Sequence, residues 1–132
     1  MIHTKGFNLA ILICFEIEHG PWTYFGKDQA DAIIWPGYWG WTIENEWTAM
    51  KDQDRPNTIY SNMSEWQMPI LQCNFSNNDL QEHKGSGPEG LSFVIDQNNR
   101  LVHKGAHLKP EGFVVTLDKH GDQTVVRDCR CV

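Results

Sequence analysis

Cys14 has the greatest chemical reach of any residue in this sequence. It closes an apolar stretch, Phe7 to Phe15, just before the chain is punctuated by Gly20-Pro21-Trp22. A continuous apolar run of this kind fits a strand buried on both faces of a parallel sheet. The ends of such strands are where α/β proteins place reactive groups. A free thiol has a pKa of about 8.5, so a cysteine nucleophile needs a neighbouring base to become ionised at neutral pH. The competing reading is structural, because cysteine is a small, apolar and frequently buried residue. Spacing alone leaves both readings open.

Other residues offer less. His19 follows Cys14 closely enough to suggest a Cys/His dyad, but a loop histidine making ordinary polar contacts accounts for it as well. Cys129-x-Cys131 supplies two soft ligands near the end of the sequence, short of the four that close a structural zinc site, and reads as a solvated tail. No metal and no cofactor is therefore expected. The aromatic segment that holds Trp35, Tyr38, Trp39 and Trp41 suits either the wall of a substrate pocket or core and interface packing.

The elements that must position these groups follow from periodicity and breakers. After the strand ending near Cys14, Pro21 predicts a helix start, with the helix running to about Gln29. Asp31 to Trp35 predicts a second strand, stopped by Pro36-Gly37, so the segment forms a βαβ unit. A helix is expected from about Asn57 to Trp66, and a third strand over Pro69 to Asn74 with its proline at the edge. Ser76 to Gly90 is a polar, glycine-rich loop. Leu91 to Asp96 alternates as a half-buried strand, and Gln97 to Arg100 turns it into a hairpin returning through Leu101 to His103. Gly112 to Leu117 is a further strand, and the tail from Asp118 carries no clear pattern.

Composition bounds the class. Hydrophobic residues at 40% and charged residues at 21% describe one globular domain over the 132 residues. The balance of 11 basic against 17 acidic residues, without a basic run, disfavours a nucleic-acid partner and an anionic membrane surface. The apolar run Leu9 to Phe15 is too short to span a bilayer and is followed by Glu16 rather than by a cleavage site. Four sparse cysteines favour reduced thiols. A cytoplasmic location is expected.

Five segments, taken in order, resemble the nitrilase superfamily of carbon–nitrogen hydrolases. Leu12-Ile13-Cys14-Phe15-Glu16-Ile17 is similar to the strand that delivers the family's nucleophilic cysteine. Gln29 to Pro36 is similar to the next strand and pocket loop, and Pro69 to Asn74 to the strand after the family's long helix. Gly90 to Asp96 resembles its glycine-x-serine strand, and Glu111 to Asp118 its final core strand. Together they cover Phe7 to Asp118.

The resemblance implies an α/β (α+β) fold, half of an α-β-β-α sandwich, with a mixed sheet and helices on one face. It implies Cys14 as nucleophile, the Phe15 backbone N–H as an oxyanion donor, and Trp35, Tyr38 and Trp39 as pocket residues. The substrate would be a small amide, nitrile or N-carbamoyl compound. The family's glutamate base and catalytic lysine precede the cysteine, where only 13 residues stand here, and no residue matches either role. The segment Glu18-His19-Gly20-Pro21 also departs from the family pattern. The expectation is a truncated or split hydrolase, inactive alone, whose partner is a complementing N-terminal half or another copy. The alternatives are a non-catalytic relative whose uncovered sheet face serves assembly and, more distantly, a small thiol-dependent or metal-binding protein.

Overall fold

The computed structural model describes residues 1–17, 29–37, 65–74, 92–105 and 111–132. Two sheets form. In chain order the larger contains β1 (Ile2–Thr4), β2 (Phe7–Ile11), β3 (Ala32–Gly37), β4 (Ile70–Asn74), β5 (Phe93–Ile95) and β6 (Leu101–Lys104), and its spatial order follows the sequence. The smaller sheet is a hairpin of β7 (Phe113–His120) and β8 (Gln123–Cys131).

The larger sheet is mixed. β2, β3 and β4 are mutually parallel, while β1, β5 and β6 join as antiparallel hairpin partners. Parallel neighbours need long crossovers, which residues 12–31 and 38–69 supply. The helices expected over Pro21 to Gln29 and Asn57 to Trp66 fall outside the described residues, except that Gln29, Glu65 and Trp66 are helical.

Register explains which residues form the core. Ala10 pairs with Ile33, Ile33 with Ile70 and Ile70 with Ile95; Trp35 pairs with Gln72 and Gln72 with Phe93. Paired residues share a face of the pleat. This face is buried together with Leu12, Ile17, Trp66 and Met68. The opposite face carries Leu9, Ile11, Ile34, Leu71 and Val94. Its burial is uneven, with Val94 fully buried and Ile11 37% exposed. The Phe7 stretch is therefore not buried on both faces throughout, as its composition suggests; β2 shows one fully buried residue, Ala10.

Pro36 sits inside β3 rather than ending it. Leu12 N–H donates to the Ile34 carbonyl, so Ile34, and two residues on Pro36, turn their backbone groups toward β2. β2 pairs only as far as Ile34, so the missing proline N–H removes no ladder bond.

The weakly patterned tail is a strand. Residues from Phe113 to Cys131 pair through a tight turn at Gly121-Asp122, with an irregularity at Thr116/Leu117. Side chains tie this hairpin to the larger sheet. Lys119 Nζ lies 2.9 Å from Asp31 Oδ1 and 5.5 Å from the Phe7 ring centroid. Val126 N–H donates to Gln97 Oε1 at 3.3 Å. The tail looked unpatterned because its strands bury little of themselves, so hydrophobic alternation is faint.

Candidate functional site

The three parallel strands bring one edge together: Cys14 just beyond β2, Pro36-Gly37 at the end of β3 and Cys73-Asn74 at the end of β4. The apolar run is interrupted before it reaches Cys14. β2 ends at Ile11, and Cys14–Ile17 forms a short 3-10 turn, so Cys14 and Phe15 are not strand residues.

Cys14 has φ of 51°. A side chain in this left-handed region costs about 1–2 kcal/mol, and such strain persists only where its surroundings fix it. Three contacts do so. The indole N–H of Trp35 donates to the Cys14 carbonyl at 2.9 Å. Leu12 N–H donates to the Ile34 carbonyl at 3.0 Å, anchoring the approach to the turn. Glu16 then closes the turn from both ends: its N–H donates to the Ile13 carbonyl at 3.1 Å, and its carboxylate accepts the Ile13 N–H at 2.6 Å. This is half of a capping box, with Ile13 where a serine or threonine would complete it.

Gly37 completes the support. A Cβ there would lie 3.3 Å from the Trp35 indole nitrogen and 3.6 Å from the Cys14 Cα. Any larger residue would press on the group that holds the Cys14 carbonyl.

Among the expected site residues, Cys14 and Trp35 are thus brought together. Trp35 is fully buried in the core, edge-on to Phe93 with centroids 6.1 Å apart, and meets the site through its N–H. The Phe15 backbone lies in the 3-10 turn immediately after Cys14. Tyr38, Trp39 and His19 lie outside the described residues. Glu16 is engaged as a cap, in keeping with its mismatch to the family's base. Cys73 lies across from Pro36, and local desolvation pushes its thiol above the ordinary range. That shift disfavours Cys73 as a nucleophile at neutral pH.

The sequence did not show the Trp35 indole bond, the close approach of Gly37 or the capping role of Glu16. A glutamate three residues after Ile13 was a partial signal for the cap. Pairing Trp35 with Cys14 required knowing the β2–β3 register.

No protein-family model and no curated protein matches the sequence. Solved structures do match in fold. Nit3 of Saccharomyces cerevisiae, a member of the nitrilase superfamily, superposes with a TM-score of 0.53 at 17% identity, covering 75% of this chain and 33% of Nit3. A glutamine-dependent NAD+ synthetase from Acinetobacter baumannii gives 0.62 at 14% identity, covering 96% of this chain and 22% of the synthetase. An amidase from Nesterenkonia sp. AN1, with the acetamide moiety of fluoroacetamide added covalently at its active-site cysteine, gives 0.54 at 14% identity, covering 80% of this chain and 35% of the amidase.

The fold defined by this sheet is therefore a carbon–nitrogen hydrolase fold. More particularly, it is the one seen in members of the nitrilase superfamily, and the chain spans about a third or less of the length of these three structures. Among the described residues, no helix is long and apolar enough to cross a membrane.

Proposed function

We propose that Cys14 is the nucleophile of a carbon–nitrogen hydrolase site acting on a small amide, nitrile or N-carbamoyl compound. The observation that carries this reading is the left-handed backbone of Cys14 at the carboxyl edge of the parallel strands, held by Trp35 and Glu16. Such strained residues cluster at functional sites; Gln67 and Asn99 also have positive φ, but neither stands at the carboxyl edge of the parallel strands.

For an amide, the thiolate attacks the carbonyl carbon and the π-electrons move to oxygen. The resulting oxyanion accepts a hydrogen bond from the Phe15 N–H, since the first amides of a helix have no acceptor within it. Collapse re-forms the carbonyl and breaks the C–N bond as the leaving nitrogen takes up the proton that the complementing base removed from the thiol, leaving a thioester that water hydrolyses. Trp35 acts here as a positioning residue. Tyr38 and Trp39, which follow Gly37, are assigned to the pocket wall. In this reading the larger sheet is one of the two in an α-β-β-α sandwich, with helices on its buried face.

The base and the lysine fall on none of these 132 residues. Catalytic residues act as a unit, so these 132 residues by themselves are expected to be inactive until those groups are supplied. Mixing the chain with the N-terminal half of a nitrilase-superfamily enzyme should restore amide hydrolysis that Cys14→Ser abolishes. Absence of turnover in every such mixture, with a folded complex demonstrated, would refute the proposal.

A second reading is favoured by exposed apolar side chains, Ile11 at 37% and Ile13 at 62%. In that reading the chain is a non-catalytic assembly module. A monodisperse monomer by sedimentation would exclude it.

A further inference from the structure

We propose that His103, Glu111 and Cys131 form a zinc-binding site at the open end of the β7–β8 hairpin, separate from Cys14. The three residues come from separate segments: the end of β6, the residue pair leading into β7, and the last residue of β8. One ligand atom from each lies within 4.8 Å of the others. Cys131 Sγ is 2.8 Å from Glu111 Oε1 and 3.9 Å from His103 Nε2, and His103 Nε2 is 4.0 Å from Glu111 Oε1.

Tetrahedral zinc, with metal–sulfur of about 2.3 Å and metal–nitrogen or metal–oxygen of about 2.0 Å, sets its ligand atoms roughly 3.3–3.6 Å apart. The observed triangle reaches that spacing when the sulfur–oxygen edge opens and the two edges to nitrogen contract, each by less than about 1 Å. Side-chain rotation is enough for such a change.

The surroundings favour a defined cluster over a chance encounter. Gly105 N–H donates to the Ser92 carbonyl at 2.6 Å, which fixes the strand end beyond His103. A Cβ on Gly105 would stand 3.1 Å from Glu111 Oε2, so glycine admits the carboxylate here. Val132 N–H donates to the Gly112 carbonyl at 2.9 Å, tying the segment after Cys131 to the one after Glu111. The Phe113 ring packs beside the imidazole of His103, with ring centroids 5.0 Å apart.

The donor set is one thiolate, one imidazole and one carboxylate, a combination that suits zinc and leaves a fourth position for water. The Cys131 thiol donates a hydrogen bond to Glu111 Oε1. Zinc displaces this proton: a sulfur–metal bond forms, and one proton leaves to solvent.

Cobalt serves as the optical probe. The reduced full chain, stripped with a chelator, is titrated with Co2+ and then back-titrated with Zn2+. The expected result is one Co2+ per chain, a near-ultraviolet thiolate-to-cobalt band, and loss of that band as Zn2+ displaces cobalt. Cys131→Ser should abolish the band. His103→Gln and Glu111→Gln should each weaken binding by about tenfold or more, in line with the loss of one ligand interaction. Cys14→Ser, Cys73→Ser and Cys129→Ser should retain the band. Circular dichroism of each variant establishes that it is folded.

The proposal is overturned if folded wild-type chain shows no band. It is also overturned if the band survives Cys131→Ser, or if His103→Gln and Glu111→Gln bind as tightly as wild type.

Discussion

Replacing Cys14 by alanine and by glycine separates the side chain from the backbone on which it stands. Alanine removes the sulfur but keeps a Cβ in the left-handed region, φ 51°. Glycine removes both. Relief of the left-handed conformation is worth about 1–2 kcal/mol, and the added freedom of glycine in the unfolded chain offsets about 0.4–1 kcal/mol of it. Cys14→Gly should therefore exceed Cys14→Ala in stability by roughly 1 kcal/mol, a Tm difference of about 3–5 °C for a domain of this size.

The same exchange at Ala10, a fully buried β2 residue whose φ is not positive, should act in the opposite direction. Ala10→Gly loses about 0.5–1 kcal/mol through backbone freedom alone, before any loss of packing. Urea denaturation followed by tryptophan fluorescence measures all three variants, and equal m-values would establish that the transitions are comparable. If Cys14→Gly is no more stable than Cys14→Ala, the backbone at residue 14 stores no strain and the central argument for a catalytic cysteine fails.

Further outcomes follow from other contacts. Gln72 is fully buried and, among the described residues, neither side-chain polar atom has a hydrogen-bond partner, so Gln72→Met, similar in volume, should stabilise the chain by about 1–3 kcal/mol in the same denaturation assay. Asp31 accepts the Asn8 N–H at 2.6 Å as well as pairing with Lys119. Asp31→Ala should therefore cost about 1–3 kcal/mol by leaving that N–H unpaired, whereas Lys119→Met should cost less than about 1 kcal/mol. The Cys131 thiol is raised by Glu111, so folding favours its protonated form. Its contribution to stability is present below the ordinary thiol pKa and is lost as pH rises through the higher folded value, because the unfolded chain then binds fewer protons than the native one. Glu111→Gln should shift alkylation of Cys131 to lower pH, which mass spectrometry of iodoacetamide-treated chain would read.

The sheet was largely legible from sequence. β3, β4 and the β5–β6 hairpin appear as apolar segments bounded by breakers, and Gln97 to Arg100 forms the expected reversal, with Asp96 Oδ1 accepting the N–H groups of Asn98 and Arg100. These features are local: a period of two and a few turn residues suffice to mark them. β1 was not foreseen, because three exposed residues carry no alternation of burial. β8 was missed for a related reason, since its residues are mostly exposed or half-buried and its pairing with β7 sets its place.

The candidate site divides along the same line. Its thiol was visible because an apolar run followed by Cys-aromatic-Glu is a local pattern. The conformation of that thiol was not, because it depends on parallel pairing of β2 with β3. That pairing brings Trp35 to the Cys14 carbonyl and Gly37 to its Cα, across 21 and 23 positions of sequence. The His103–Glu111–Cys131 cluster shows the contrast more sharply. Cys131 is separated from His103 by 28 positions and from Glu111 by 20. Sequence alone determined the residue types and the alternating segments that carry them. Only tertiary structure decided which side chains meet, because strand pairing and hairpin docking are set by long-range burial and not by neighbours in the chain.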